Sequence, residues 1–131
     1  MTTDQIVTSL FKAVKAWGLG CNVHKYAHPV IKADNTTEWA VVNVITAQDG
    51  SWTEGFANVN IFVPDLKVGY AAPDAVRLGA VEAIGLTKVG KGFVVNVNDE
   101  VIRFKLDRHS IEEDGGTFSH FVNIRLQFQY I

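Results

Sequence analysis

The chain has 131 residues, the size of one ordinary domain, and a domain of this length buries about two-thirds of the surface that its unfolded chain exposes. Hydrophobic residues make up 47% of the chain and charged residues 20%, a composition that excludes intrinsic disorder. Twelve basic and fourteen acidic side chains give a net charge of -2, which excludes recognition of nucleic acid through an overall positive field, although it leaves a local basic patch open. We predict one domain over residues 1–131, built around one hydrophobic core.

Cysteine occurs once, at Cys21, so the chain forms no intramolecular disulfide and needs no oxidising compartment for stability. The N-terminal segment, MTTDQIVTSLFKAV, lacks the basic region and the unbroken apolar run of a signal peptide. No stretch approaches the roughly 20 apolar residues that a membrane helix needs. We therefore expect a protein of the cytosol with no membrane partner.

The first predicted element is a helix at the N-terminus. Thr2 and Gln5 have the spacing of a capping box, and Gly18 and Gly20 supply residues that commonly end a helix. Such a helix places six apolar side chains on one stripe: Ile6, Val7, Leu10, Phe11, Val14 and Trp17. The stripe has to be covered, and we expect a sheet to cover it.

A β-hairpin is predicted next, after a short extended segment over Cys21–Pro29 and a polar loop over Asp34–Thr37. Trp39–Thr46 and Phe56–Val63 are rich in the β-branched residues that are typical of strands. The connection between them contains Asp49-Gly50, a good turn former. We expect antiparallel pairing with a long or bulged tip.

Pro64 has no backbone N–H to donate, so it marks the end of that strand or an edge position. A second helix is predicted to begin at Pro73 and Asp74, which suit a first helical turn, and to run to about Gly85.

The last third of the chain predicts three strands and a loop. Phe93–Val97 and Val101–Leu106 form a hairpin candidate about Asn98 and Asp99, and Asp107–Thr117 is predicted to be a polar loop. The final strand alternates amides and one arginine with five apolar residues: Val122, Ile124, Leu126, Phe128 and Tyr130.

This order of elements predicts an α+β fold with a single antiparallel or mixed β-sheet and two helices packed on one face. In the strand Phe56–Val63, alternation predicts that Val59, Ile61 and Val63 face the helices. The other side of that strand, with Asn58, Asn60 and Phe62, is predicted to face solvent or a neighbouring subunit.

Zinc-compatible donors occur at Cys21, His24 and His28. A structural zinc site needs four ligands, and no second ligand cluster occurs in the sequence, so we predict ordinary loop residues and no metal. We likewise predict no cofactor.

Ser110 lies beside His109 and near Glu112 and Asp114, which allows a catalytic triad on paper. A triad depends on spatial geometry, and adjacency in a polar segment does not provide it. We predict no catalytic residues. An enzyme or small-ligand carrier stays as an alternative, and it requires a deep pocket in which at least two of four histidines converge with carboxylates: His24, His28, His109 and His120.

Three landmarks carry a family resemblance: NVNIFVPDL, the proline-started helix that follows it, and the terminal SHFVNIRLQFQYI. Together they resemble the tail-terminator or tail-completion proteins of tailed bacteriophages, including prophage copies. The resemblance implies a noncatalytic virion assembly protein that forms a ring, commonly hexameric. Such a ring caps the tail tube and joins it to the neck connector, and its subunits occupy the bacterial cytoplasm during assembly and then the virion.

The contact regions that the resemblance implies are the first hairpin and the segment Asp107–Thr117. We add the outward side of the strand Phe56–Val63 and the polar face of the final strand. The predicted contact residues are Asp49, Trp52, Glu54, Asn58, Asn60, Phe62, Arg108, Glu112, Asp114 and Arg125. A head-closure or head-tail connector protein stays as a second alternative.

Overall fold

A computed structural model describes residues 2–46, 54–67 and 70–130. Within these ranges the chain forms helices α1 and α2, strands β1 to β6 and a single 3-10 turn, Gly115–Thr117, between the last two strands. In chain order the elements are α1 Thr3–Lys15, β1 Asn22–Lys25, β2 Trp39–Thr46, β3 Glu54–Pro64, α2 Ala75–Val89, β4 Phe93–Val97, β5 Glu100–Asp114 and β6 Ser119–Tyr130.

The strands form one sheet in the order β1-β2-β3-β6-β5-β4. Among the described strands, the β1–β2 pair is parallel and the four other pairs are antiparallel. The predicted α+β fold with one mixed sheet and two helices is confirmed. The hairpins β2–β3 and β4–β5 are also confirmed, and Pro64 ends β3 as predicted.

Both helices pack on the same face of the sheet, which we call the helix face. Their buried side chains share one core cluster with the alternating apolar residues of the strands, so the core is a layer between helices and sheet. The predicted direction of Val59, Ile61 and Val63 towards the helices is confirmed. The opposite side of the sheet, which no described helix covers, is called the open face below.

Helix α1 begins as its sequence predicts. The Thr2 hydroxyl accepts from the Gln5 backbone N–H at 3.2 Å, and the Gln5 side-chain oxygen accepts from the Thr2 N–H at 2.8 Å.

Helix α2 differs from its prediction at its C-terminus. It continues to Val89 and ends at Gly90, whose φ is +51°, whereas the predicted stop was Gly85. Gly85 is buried, and a Cβ built on it would meet the Ile124 side chain of β6. Its role is therefore to let the helix approach the sheet, and not to end the helix.

The prediction of a polar loop over Asp107–Thr117 is wrong, because β5 continues to Asp114 and pairs with β6 along the whole distance. The exposed, charged side chains of this segment gave no apolar alternation from which a strand could be predicted, and strand pairing through the backbone does not require apolar side chains. A bulge between Leu106 and Arg108 further interrupts the alternation that predicts strands.

Candidate interaction surface

The middle of the open face is an amide network that spans three neighbouring strands. Asn58 donates to the side-chain oxygen of Asn43 at 3.0 Å, and Asn123 donates to those of Asn58 at 3.1 Å and Asn60 at 2.7 Å. All four side chains are half-buried. Each amide has two donor hydrogens and two acceptor lone pairs, so these three bonds leave most of the network's hydrogen-bonding capacity for water or a partner.

One end of the open face is closed by aromatic side chains. Trp39 stacks on Phe62 with ring centroids 5.0 Å apart, and Phe62 stacks on Phe121 at 4.8 Å. The chain after β1 crosses this stack, and His28 places its ring 4.6 Å from Phe62 and accepts from Trp39 Nε1 at 3.1 Å. Because His28 Nδ1 is an acceptor, the neutral ring carries its proton on Nε2, which lies 3.8 Å from an Asp114 carboxylate oxygen.

The prediction that Phe62 faces solvent or a neighbouring subunit is therefore wrong. Phe62 is on the open face, but it is only 3% exposed, because His28 and the two flanking aromatic rings cover it. The contact was invisible in the sequence, since it joins Phe62 to residues far along the chain in both directions.

The other end of the open face is basic. The Arg125 guanidinium carbon lies 4.2 Å above the ring of Phe56, and its Nε lies 3.4 Å from an Asp107 carboxylate oxygen without hydrogen-bond geometry. Strand register places Arg108 directly opposite Arg125, an unfavourable pair of like charges that Asp107 partly offsets. Arg103 and Lys105 follow on the same face, because their β6 partners alternate in phase with Arg125.

Beyond the bulge, β5 carries acidic side chains on the open face. Glu112 lies opposite Phe121, and Asp114 lies opposite Ser119. Along one strand the open face therefore changes from basic to acidic, with the amide network beside the transition.

The predicted contact residues separate into three groups. Asp49 and Trp52 lie outside the described residues. Glu54 is exposed at the start of β3, and Phe62 is buried. Strand register places Glu54 and Phe62 on the open face together with the remaining six: Asn58, Asn60, Arg108, Glu112, Asp114 and Arg125.

Sequence reasoning did not select Asn43, Asn123 and Phe56 as members of this surface. Asn123 was visible as a polar residue in the alternation of the final strand. Asn43 interrupts the apolar run of β2 at a position that faces away from the helices, which is the signal that would have found it.

The catalytic triad drawn from Ser110 and His109 does not form. The two residues are neighbours on β5 and so point to opposite faces of the sheet. His109 Nδ1 lies 3.0 Å from a Glu82 carboxylate oxygen of α2, whereas the Ser110 hydroxyl donates to Glu112 at 3.1 Å on the open face.

Three of the four histidines lie near separate carboxylates. His120 Nδ1 lies 2.6 Å from an Asp65 oxygen on the helix face, His109 meets Glu82, and His28 meets Asp114 across the open face. The convergence of two histidines that the enzyme alternative requires is thus not found among the described residues. Surface grooves beside α1, β4 and α2 are lined by other side chains.

Within the described ranges, no group of three His, Cys, Asp or Glu side chains is arranged to hold a metal ion. Cys21 lies half-buried before β1. Burial, aided by the charge of Glu38, raises the pKa of the Cys21 thiol, and a protonated thiol is a poor nucleophile and metal ligand. In the same ranges no helix is both long and apolar enough to cross a membrane.

No protein-family model matches this chain, and no curated protein sequence does either. Several chains of solved structures match, and one of them superposes with a TM-score of 0.58 at 18% sequence identity, a match that covers 100% of this chain and 96% of the other. A similarity at this level of identity establishes a shared fold.

Proposed function

We propose that this protein is a noncatalytic assembly protein of a tailed bacteriophage or prophage, which associates with copies of itself in a ring that completes the tail. The observation that carries the proposal is the open face, where half-buried amides lie between a basic and an acidic end. The three sequence landmarks that resemble tail-terminator proteins give the biological setting.

The distribution of charge on the open face favours contact between copies. Arg103, Lys105 and Arg108 lie on one half of β5, and Glu112 and Asp114 lie on the other half. A basic half that meets the acidic half of a second copy brings opposite charges together, which favours one register over others. In the ring that we propose, the basic half of each copy meets the acidic half of the next copy head to tail, and such a heterologous contact generates a ring when its rotation closes.

The amide network suits such a contact. Interfaces between subunits contain about one hydrogen bond per 100–200 Å² of buried area, together with bridging water molecules. The unused donors and acceptors of the amides can bond directly to a partner or to such water. Arg125 adds a planar cation stacked on an aromatic ring, and arginine and aromatic residues are enriched in interfaces.

In the assembly that we propose, one side of the ring contacts the tail-tube protein and the other contacts the neck. In this proposal the protein catalyses no reaction, because the ring acts by closing the end of the tail tube. A head-tail connector would have a similar self-association and differs in its partner, so the partner is the discriminating observation.

The test measures mass by analytical ultracentrifugation and images rings by electron microscopy, with and without purified tail tubes. We expect rings at the ends of tubes. A monomer at high concentration, with no rings in either sample, would refute the proposal. Binding to portal or connector rings, with none to tail tubes, would refute the terminator role.

Arg103→Glu tests the open face, because the Arg103 side chain is exposed there. At this residue β5 is already paired with Val94 of β4, so the substitution does not alter an unpaired edge of the sheet. Lys12→Glu makes the same charge change on an exposed position of α1 and is the matched control. We expect ring formation to weaken in Arg103→Glu alone. Equal ring formation in the two variants would show that the open face is not the contact.

A further inference from the structure

Among the residues that the structure describes, the outer edge of β5 is paired with another strand over only its first third. β4 pairs with Glu100–Phe104 only, whereas β6 pairs with the other edge as far as Asp114. From Lys105 to Asp114, the backbone N–H and C=O groups of the outer edge face no strand in the described part of the chain. A row of unpaired backbone groups is a template for another strand.

The charged side chains along this edge are basic at one end and acidic at the other, and this order selects the partner strand. The segment begins with Lys105 and Arg108 and ends with Glu112 and Asp114, and strand register puts all four on the open face. The bulge maintains this phase, because Asp107 and Arg108 together occupy one step of the ladder. An antiparallel copy of the same segment, centred on Ser110, therefore sets Arg108 against Glu112 and Lys105 against Asp114.

The same register brings no like charges together on the helix face, where Leu106 lies opposite Glu113 of the second copy. It places His109 opposite Ile111 of the second copy, and Ile111 is 46% exposed in the single chain. Because the arrangement is two-fold symmetric, each of these pairs occurs twice. The one acidic residue within the basic half, Asp107, is already directed towards Arg125 at 3.4 Å.

We propose that the free edge of β5 pairs antiparallel with the same edge of a second copy, about a two-fold axis at Ser110, and joins the two sheets into one. A parallel arrangement sets Arg108 beside Arg108 and Glu112 beside Glu112, which is repulsive. The outer edge of β1 is a poorer partner, because that strand has only 4 residues. The charges that select self-pairing also oppose pairing with unrelated strands.

This two-fold contact closes on itself, so it does not build a ring and it stands independently of the proposed function. It pairs backbone groups at the edge of the sheet, whereas the ring contact uses the open face. The charges of β5 take part in both contacts, so the Ser110→Cys cross-link described below and the Arg103→Glu variant separate them, and the charge reversals do not. Failure of ring formation with intact edge pairing, or the reverse, would be distinguishable.

Cysteine cross-linking tests the register. In a Cys21→Ser background, Ser110→Cys places two thiols opposite each other at the two-fold axis, where facing Cα atoms in an antiparallel pair lie about 4.5–5.5 Å apart, within disulfide range. Glu112→Cys is the control, because four ladder steps of about 3.4 Å separate the two copies of that position. We expect disulfide-linked dimers under mild oxidation from Ser110→Cys and not from Glu112→Cys. Equal cross-linking of both variants, or of neither, would overturn the proposal.

Charge reversal tests the pairing without oxidation. Arg108→Glu alone and Glu112→Arg alone each create two like-charge pairs, and we expect the dimer in sedimentation experiments at low salt to be about tenfold weaker. The double variant Arg108→Glu with Glu112→Arg restores opposite charges and should restore the dimer. A double variant as weak as the singles, with an unchanged circular dichroism spectrum, would overturn the antiparallel register.

Discussion

Helix α2 packs directly on the sheet at Gly85, and this contact makes a quantitative prediction. A Cβ added at this position of α2 would overlap the side chain of Ile124 on β6. Gly79, six residues earlier in the same helix, is exposed, and a Cβ there would meet nothing within 4 Å. The same substitution, glycine to alanine, therefore has different consequences at two positions of one helix.

Alanine gains about 1 kcal/mol over glycine from intrinsic helix propensity at either position. For Gly79→Ala this gain stands alone, so we expect stabilisation by about 0.5–1 kcal/mol. For Gly85→Ala the gain is opposed by overpacking, which costs about 1–3 kcal/mol in a close-packed core. The difference between the two variants should therefore be about 1–3 kcal/mol, with Gly85→Ala the less stable.

Urea denaturation followed by circular dichroism measures both free energies of unfolding. The companion variant Ile124→Val removes the carbon atom that meets the new Cβ, and should cost about 0.5–1.5 kcal/mol by itself. In Gly85→Ala it should cost less, and the double-mutant cycle should show a coupling of at least about 0.5 kcal/mol. Equal stability of Gly79→Ala and Gly85→Ala, with no coupling to Ile124, would refute the packing of α2 on β6.

Three further predictions concern the N-terminal helix and the aromatic end of the open face. Thr2→Ala removes a capping hydroxyl and should lower the free energy of unfolding by about 1 kcal/mol in urea denaturation, and an unchanged midpoint would contradict the cap. A hydrogen bond from the Tyr26 hydroxyl, aided by the charge of Lys25, lowers the pKa of the Asp4 carboxyl. The ionised Asp4 therefore stabilises the fold at pH values above the unfolded pKa of about 3.9, and this stabilisation is lost as the pH falls through the lower folded pKa. Asp4→Asn should therefore flatten the fall in stability on the acid side, measured by thermal melts from neutral to acid pH, and an identical pH profile would contradict this contribution. His28→Leu leaves the buried Trp39 N–H without its acceptor, so it should destabilise by about 1–3 kcal/mol and increase the quenching of tryptophan fluorescence by acrylamide, whereas wild-type values of both would contradict the bond.

Periodicity predicted most of the fold because the core is a single layer between helices and sheet. The elements with the clearest buried side show it as a repeat in the sequence, from the stripe of α1 to the alternation of β6. Capping residues and turn formers then located several boundaries. The parallel pairing of β1 with β2 was outside this reasoning, since it depends on where the loop between them returns.

The candidate surface was predicted less completely, for two physical reasons. Asn58 and Asn60 could be assigned to it because alternation fixes which side of β3 they face. Phe62 obeys the same alternation, yet a segment distant in sequence covers its side chain. Alternation predicts which face of the sheet a side chain lies on, and it does not predict whether another segment covers that face. The aromatic stack shows that the side of a sheet away from its helices is not necessarily exposed.

Strand β5 shows why charge patterns are the most informative part of this chain for function. Its second half buries little, so the core places few demands on the identity of its side chains, and its place in the sheet depends on backbone bonds to β6. Side chains that are free of the core can vary without loss of the fold. Asp114 has a role in the fold, because its side chain accepts from the Gly116 N–H at the start of the 3-10 turn. Core packing does not explain why Lys105 and Arg108 are separated from Glu112, and contact with a second copy, as we propose, would give that separation a physical reason.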